Sequence, residues 1–203
     1  MSVALLLEES AEGVATSGVL ARVWNLLENV PDPEIPVVSI RELGILRDVR
    51  LIGGDRVEVV ITPTYSGCPA IGQIEDDIRS ALGAAGFTAK ITTQLAPAWT
   101  TDWIDASTRA KLKDYGIAPP QHLIAGGAAV HQAAQQVVQF AAKKAAQAGL
   151  NSHLGSQTGS ASVPCPQCNS VNTTETSHFA STACKALYKC LDCLEPFDYF
   201  KPY

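Results

Sequence analysis

The sequence contains few basic residues, and they form no cluster. Its 203 residues include 15 Lys and Arg against 20 Asp and Glu, which gives a formal net charge of −5. Proteins that bind nucleic acids rely on grouped Lys and Arg side chains to neutralise phosphates. The composition therefore argues against a nucleic acid as the partner.

Long apolar runs are also absent. No stretch approaches the roughly 20 apolar residues that a transmembrane helix needs. The opening residues, MSVALLLEES, lack the basic segment of a secretory signal, and acidic residues follow the short apolar run at once. We therefore expect a cytoplasmic protein with no membrane partner. In that reducing compartment, the six cysteines indicate metal or thiol chemistry rather than disulfides.

Histidine is scarce and confined to the later part of the chain. The four histidines are His122, His131, His153 and His178. A cysteine hydrolase needs a histidine base beside its thiol, and the first 121 residues offer none. A hydrolase built on a thiol in that part of the chain is therefore disfavoured.

The first 117 residues show the periodicities of a small α+β domain. Apolar residues at helical spacing predict helices over 19–30 and 71–82. Alternating residues on either side of a Gly-Gly-Asp turn at 53–55 predict a hairpin, and a third strand is expected over 87–95. The predicted order is α-β-β-α-β in two layers.

A change of composition follows this domain. Residues 118–162 are rich in Ala, Gln, Gly and Ser. Such a segment is typical of a helical spacer followed by a flexible linker. We predict a separate small domain after it, over residues 163–203.

Four cysteines in that last segment have the spacing of a metal site. Cys165 and Cys168 form one Cys-x-x-Cys pair, and Cys190 and Cys193 form another after 21 residues. Two such pairs close a tetrahedron around one ion with no open position, which predicts a structural metal ribbon. Zn²⁺ is the expected ion, although a sulfur-only site also suits iron or an iron–sulfur cluster. Cys184 lies outside the pairs and is interpreted as a packed side chain, a functional thiol or an alternative ligand.

A lone cysteine, Cys68, precedes the second predicted helix. The positive end of a helix dipole stabilises a thiolate, so we expect the pKa of this thiol to be lowered. Asp32 and Glu34, in the segment DPEIP, form either a rigid polar turn or a pair of carboxylates near the thiol that hold iron transiently. The residues alone leave both interpretations open.

Several motifs carry a resemblance to a known family. The segments DPEIPVVSIRELGILRDV, VVITPTYSGCPA and APAWTTDWI resemble the small iron–sulfur assembly domain family typified by SufT. The tail STACKALYKCLDCLEPFDYFK is similar to one branch of that family. This branch, PaaD, comprises the D subunits of the phenylacetyl-CoA 1,2-epoxidase system of aerobic phenylacetate degradation.

The resemblance implies an accessory protein rather than a catalyst. Its expected role is to assist maturation of an iron–sulfur or di-iron centre, with Cys68 as a transient ligand of iron or of a cluster. Asp32 and Glu34 correspond to the acidic motif of the family, and Thr62 to the threonine of its Thr…Cys-Pro loop. The implied partners are the reductase and oxygenase subunits of the epoxidase, together with iron–sulfur assembly machinery. The alternative is a stoichiometric docking subunit of the epoxidase complex.

Overall fold

A computed structural model describes residues 16–121 and 162–203 of the chain. The predicted spacer over 118–162 therefore lies almost entirely outside the described residues. Within the described ranges, no helix is long and apolar enough to cross a membrane.

The first part of the chain folds as the predicted α-β-β-α-β unit. Its elements are α1 (16–27), β1 (Leu46–Gly53), β2 (Arg56–Ile61), α2 (Ile71–Ala84) and β3 (Thr88–Thr93). The strands lie in the order β1-β2-β3, with β1 antiparallel and β3 parallel to β2. The predicted α+β fold class is confirmed.

The apolar faces that predicted these elements form one core. Ile74, Ile78 and Leu82 recur at helical spacing on α2, and all three are fully buried. They share the core with Val23 and Leu27 of α1 and with the inward side chains of β2. Helices and sheet therefore pack as two layers, because each has one apolar face to bury.

The segment after β3 continues along this core. It contains a 3-10 turn (Thr101–Trp103), helix α3 (Ala106–Asp114) and the short strand β4 (Ile117–Ala118). Gly44 is required where the turn meets the domain. Its φ is +71°, and a Cβ atom there would lie 2.9 Å from Cβ of Trp103, so a larger residue would be strained.

The C-terminal part is a β-ribbon that includes a strand from the first part. Its own strands are β5 (Thr173–Ser177), β6 (Lys185–Cys190) and β7 (Pro196–Phe200). The sheet order is β4-β7-β6-β5, with β4 parallel to β7 and the other pairs antiparallel. The ribbon is thus hydrogen-bonded to the α/β unit through β4.

The two parts also share apolar packing. Cys184 and Phe200 of the ribbon belong to the same buried cluster as the α/β core. Trp99, from the loop after β3, donates a 2.9 Å hydrogen bond to the Leu43 carbonyl, and its ring lies 5.9 Å from the ring of Phe200. This packing fixes the ribbon against the α/β unit. The division at 117 and 162 stays a prediction.

Candidate functional site

The four ribbon cysteines form a compact group. Their sulfur atoms all lie within 4.8 Å of one another. The Sγ atoms of Cys165 and Cys193 are 3.7 Å apart, and those of Cys168 and Cys190 are 3.6 Å apart. A tetrahedral ion with Zn–S bonds of about 2.3 Å requires sulfur–sulfur edges of roughly 3.8 Å. The group therefore fits one tetrahedral ion with four sulfur ligands.

Each cysteine pair is held by a tight backbone turn. The residue after each pair has a left-handed conformation, with φ of 61° at Asn169 and 68° at Leu194. In the second turn the Cys193 N–H donates to Cys190 Sγ at 3.4 Å. This hydrogen bond is the largest of several, from the backbone of Cys193 and Asp192 and from neighbouring thiols, that together lower the pKa of the Cys190 thiol to about 6. Burial and the neighbouring thiols raise the pKa of Cys193 to about 12. The turn thus favours the thiolate at Cys190.

The acidic motif is organised by Asp32. Its side chain is buried, and Oδ1 accepts hydrogen bonds from the backbone N–H groups of Glu34 at 2.9 Å and Ile35 at 2.8 Å. Burial raises the pKa of this carboxyl, while the two backbone hydrogen bonds and the charge of Lys185 act in the opposite direction. Asp32 therefore shapes the turn, in which Glu34 is half-buried.

Cys68 is half-buried in the loop between β2 and α2. Its sulfur accepts hydrogen bonds from the Ala70 N–H and the Thr64 hydroxyl. Burial nevertheless raises the pKa of the thiol, and the charges of Glu34 and Asp32 act in the same direction. The expected lowering of the pKa is wrong, because desolvation and two nearby carboxylates outweigh the hydrogen bonds and the start of α2.

The ribbon contributes a second thiol to this region. Cys184 is 6% exposed, and its sulfur lies 3.1 Å from Oγ1 of Thr182. Burial raises the pKa of Cys184, and charges on Glu34 and Cys68 act in the same direction. Glu34 and Cys68 therefore lie close enough to Cys184 for their charges to affect its pKa.

One tyrosine of the Cys68 loop faces the ribbon segment at Ala183. Burial raises the pKa of Tyr65, which lies three residues before Cys68, while the Ala183 backbone acts in the opposite direction. The Tyr203 hydroxyl donates to the Ala183 carbonyl at 3.1 Å, a contact within the C-terminal part. The segment next to Cys184 therefore lies beside the loop that carries Cys68.

A buried cation lies next to the second thiol. The Lys185 ammonium is 3.1 Å from Asp198 Oδ2, and the residue is 5% exposed. Its charge also acts on Asp32. Lys185 therefore links the ribbon to the acidic turn.

Thr62 supplies an unusual polar atom. The residue is 1% exposed, and its hydroxyl has no hydrogen-bond partner within the described part of the chain. Thr62 directly follows β2, at the start of the loop that carries Cys68. A buried hydroxyl without a partner destabilises a fold.

The structure thus separates the predicted site residues into two groups. The metal cysteines form the ribbon centre, while Asp32, Glu34, Thr62 and Cys68 lie around the loop of the α/β unit. Sequence analysis left Cys184 open and did not assign Lys185 to this second group. The one sequence signal for Cys184 was its position in the motif STACKAL, which is part of the tail that carries the family resemblance. The ligand roles of the second group stay predictions.

Comparison with known proteins gives two family matches. The model of the iron–sulfur cluster assembly protein family matches residues 20–91, and that of the PaaD zinc β-ribbon domain matches residues 151–201. The first match contains the acidic turn and Cys68, and the second contains Cys184 and the four metal cysteines.

Individual proteins and a solved structure are similar to parts or most of this chain. A protein of Porphyromonas gingivalis called an Fe-S protein maturation auxiliary factor is 33% identical over 44% of this chain and 87% of its own length. A crystal structure of a DUF59 domain from Bacillus anthracis covers 49% of this chain and 96% of its own, with 24% identity and a TM-score of 0.46. A protein of Escherichia coli K12, provisionally named as the D subunit of 1,2-phenylacetyl-CoA epoxidase, is 44% identical over 88% of this chain and 90% of its own length. The chain therefore belongs to the family of phenylacetyl-CoA epoxidase D subunits.

Proposed function

We propose that this protein assists the maturation of a phenylacetyl-CoA epoxidase in the cytoplasm by carrying iron or an iron–sulfur cluster to it. The carrier ligand is Cys68, and the cargo is a substrate that arrives and leaves. The observation that carries the proposal is the surroundings of Cys68. A half-buried thiol lies near two carboxylates whose charges act on it.

The charges around Cys68 favour a site with a bound cation over the same site without one. Charges on Asp32 and Glu34 oppose ionisation of Cys68. A bound iron ion would reverse this effect, because a positive charge stabilises both the thiolate and the carboxylates. The partial exposure of Cys68 leaves a path by which the cargo can reach a client.

The ribbon metal has a different proposed role. Four sulfur ligands leave no coordination position for a substrate, so the ion is structural, and Zn²⁺ is the proposed metal. The sulfur–sulfur distances of 3.6 and 3.7 Å between the ribbon cysteines support a single tetrahedral ion. Elemental analysis of the purified protein should give about one zinc ion per chain.

The test of the carrier function compares epoxidase made with wild-type protein and with Cys68→Ser. We expect the variant to keep the fold and the ribbon metal, and to yield a reductase or oxygenase that is poor in iron and sulfide. Serine nearly preserves shape but removes the soft sulfur that iron prefers. Iron, sulfide and flavin are measured on each client subunit separately, which identifies the client.

Ser66→Ala is the matched control, because Ser66 is an exposed residue of the same loop. It should support full maturation. If Cys68→Ser also gives clients with full iron content, the carrier function is wrong.

A docking subunit is the second candidate, and the exposed side chains of the ribbon favour it. Val171, Leu191 and Leu194 are 61%, 48% and 65% exposed around the metal turns. Apolar side chains in such positions are typical of a contact surface for another protein. A docking subunit would remain in fixed ratio with active epoxidase through size-exclusion chromatography, whereas a maturation factor would be absent from the active complex.

A further inference from the structure

A cavity of about 440 Å³ lies where the ribbon meets the α/β unit. This junction pocket is lined from both parts, by Glu34 of the acidic turn, Tyr115 after α3 and Ile117 of β4, and by Leu187 and Asp198 of the ribbon. Cavities that bind ligands have volumes of roughly 300–1,000 Å³ and occur preferentially between domains. The junction pocket is therefore a candidate binding site.

The ribbon sheet determines which side chains share one wall of the junction pocket. In the registers of β4, β7 and β6, Ile117 is opposite Asp198, and Asp198 is opposite Leu187. Side chains that are opposite one another on neighbouring strands lie on the same face of a sheet. Lys185 lies on that face too, because it precedes Leu187 by two residues. Apolar and charged side chains thus form one continuous wall.

The charged groups of the junction pocket include one carboxylate in excess. The buried Lys185 ammonium is 3.1 Å from Asp198 Oδ2, so the sheet itself already neutralises this cation. Glu34 brings a second carboxylate to the same pocket. Two carboxylates and one ammonium give a formal charge of −1. This charge attracts a cationic group and repels an anionic one.

The uncharged walls match a cation with a long apolar stem. Leu187 and Pro196 offer apolar contacts, and Tyr115, which is 53% exposed, brings an aromatic side chain to the opening. An arginine side chain combines an apolar stem with a planar guanidinium, which binds a carboxylate through two hydrogen bonds and stacks on aromatic rings. Lysine carries a compact charge without that plane. Arginine therefore matches the pocket better than lysine does.

An arginine in the junction pocket has to come from another protein. All arginines of this chain lie within the described residues 16–121, and none of them lines the pocket. We propose that the junction pocket is a docking site for an arginine side chain of the epoxidase subunit that receives the cargo. This proposal rests on the carrier function and adds the place where the client binds.

The test uses N-acetylargininamide as the probe and N-acetylcitrullinamide as its control, because citrulline has the shape of arginine but no positive charge. Each is titrated into full-length, zinc-loaded, isotope-labelled protein, and amide shifts are followed by NMR. We expect the arginine probe to shift the amides of Gly116, Leu187 and Phe197, which line the pocket. The citrulline probe should bind at least about tenfold more weakly, since it lacks the charge that Glu34 attracts. Equal binding of both probes, or no shift at these amides, overturns the proposal.

Two substitutions of the same type test the role of the pocket carboxylate. Glu34→Gln removes the excess charge, so the preference for arginine over citrulline should disappear. Glu195→Gln is the matched control, because Glu195 is exposed next to Pro196 but does not line the pocket, and it should keep the preference. The same result for both variants overturns the assignment of Glu34. Should Glu34→Gln fail to fold, the two probes on wild-type protein still decide.

Titration with the purified reductase and oxygenase of the epoxidase tests the docking partner. The client should shift the same amides and displace the arginine probe, and the proposal is wrong if neither subunit does so. Residues 122–161 contain Lys143 and Lys144 but no arginine. Tighter binding of the arginine probe after Lys143→Ala with Lys144→Ala would make this chain its own occupant. A concentration-dependent dimer that Tyr115→Ala dissociates would make a second copy the occupant, and either result overturns the proposal.

The carrier function is tested separately from the docking site. Cys68 does not line the junction pocket, so Cys68→Ser should bind the arginine probe like the wild type while the iron content of the client falls. Unchanged client iron with Cys68→Ser contradicts the carrier function. Failure of the arginine probe to bind contradicts the docking site alone.

Discussion

The two groups of cysteines differ in how the chain assembles them. The ribbon cysteines occur as two short pairs, and each pair is shaped by its own turn. Cys68 and Cys184 come from different parts of the chain: Cys184 belongs to the core that the two parts share, and Cys68 packs against this core. A site made by local turns closes fully around its ion and keeps it. The thiol of Cys68 is half-buried and belongs to no comparable group of potential ligands among the described residues, as the proposed exchange of cargo requires.

The largest effect that tests this comparison is loss of the ribbon metal. Cys190→Ser should abolish metal binding, because it removes one of four ligands from a closed shell. Metal binding to such ribbons contributes about 10–16 kcal/mol and is their folding free energy. We expect the tail to become sensitive to protease, and the α/β unit to lose stability because Phe200 and Cys184 leave its core. Metal content and limited proteolysis measure both effects.

Cys184→Ser is the matched control, since it changes a ribbon cysteine outside the tetrahedron. It should retain about one metal ion per chain. A Cys190→Ser protein that lacks metal yet has a protease-resistant tail would contradict the structural role of the ion. Release of the ion by Cys184→Ser would show that the ligand assignment is wrong.

The second effect concerns the core that the two parts share. Phe200→Ala should cost about 3–5 kcal/mol, the usual loss for a buried aromatic side chain. Because Phe200 packs against Trp99 of the α/β unit, we expect the metal-loaded protein to unfold in a single transition. Phe200→Ala should shift the whole of this transition to lower urea concentration. Urea unfolding, followed by tryptophan fluorescence and by circular dichroism, measures the shift.

Phe179→Ala is the corresponding control, because this ribbon phenylalanine is 60% exposed. It should change the free energy of unfolding by no more than about 0.5 kcal/mol. Two separate transitions, of which Phe200→Ala shifts only one, would mean that the parts fold independently.

The same contrast explains how much the sequence could predict. The helices, the hairpin and the metal pairs are local patterns, in which period and spacing determine the outcome. The pairing of β4 with β7 and the position of Cys184 depend on contacts between residues far apart in the chain. No periodicity encodes such contacts, so a ribbon separated by a spacer was the natural expectation.

The pKa of Cys68 shows the same limit. The position before a helix was readable from the sequence and favours the thiolate. The burial of the thiol and the nearness of Glu34 and Asp32 are visible only in the folded structure. Together they outweigh the effect of the helix start and raise the pKa. The position before the helix predicts one contribution to the pKa of Cys68 correctly, but the direction of the whole pKa shift is the opposite.

A smaller effect is expected from the buried hydroxyl of Thr62. Thr62→Val keeps the shape of the side chain and removes a buried polar atom that has no hydrogen-bond partner among the described residues. We expect the free energy of unfolding to rise by about 1 kcal/mol. Thermal unfolding measures this change, and the iron content of the client shows whether maturation also depends on the hydroxyl. A loss of stability with unchanged client iron would show that the hydroxyl serves the fold instead.

The smallest effect, and the most direct contrast between the two kinds of cysteine, is the rate of alkylation of Cys68. Only the thiolate reacts with iodoacetamide, and an unperturbed cysteine has a pKa of about 8.5. Since burial, Glu34 and Asp32 raise the pKa of Cys68, less thiolate is present at neutral pH. In the metal-loaded protein, where the ion protects the ribbon cysteines, Cys68 should react more slowly at pH 7 than a cysteine in an unstructured peptide. Its rate should continue to rise at pH values where that of the peptide has levelled off. Mass spectrometry of the labelled protein follows the reaction, and Cys68→Ser shows the background from other cysteines. A rate at pH 7 above that of the peptide would mean that the hydrogen bonds from Ala70 and Thr64 dominate, and that the thiolate exists before any cation arrives.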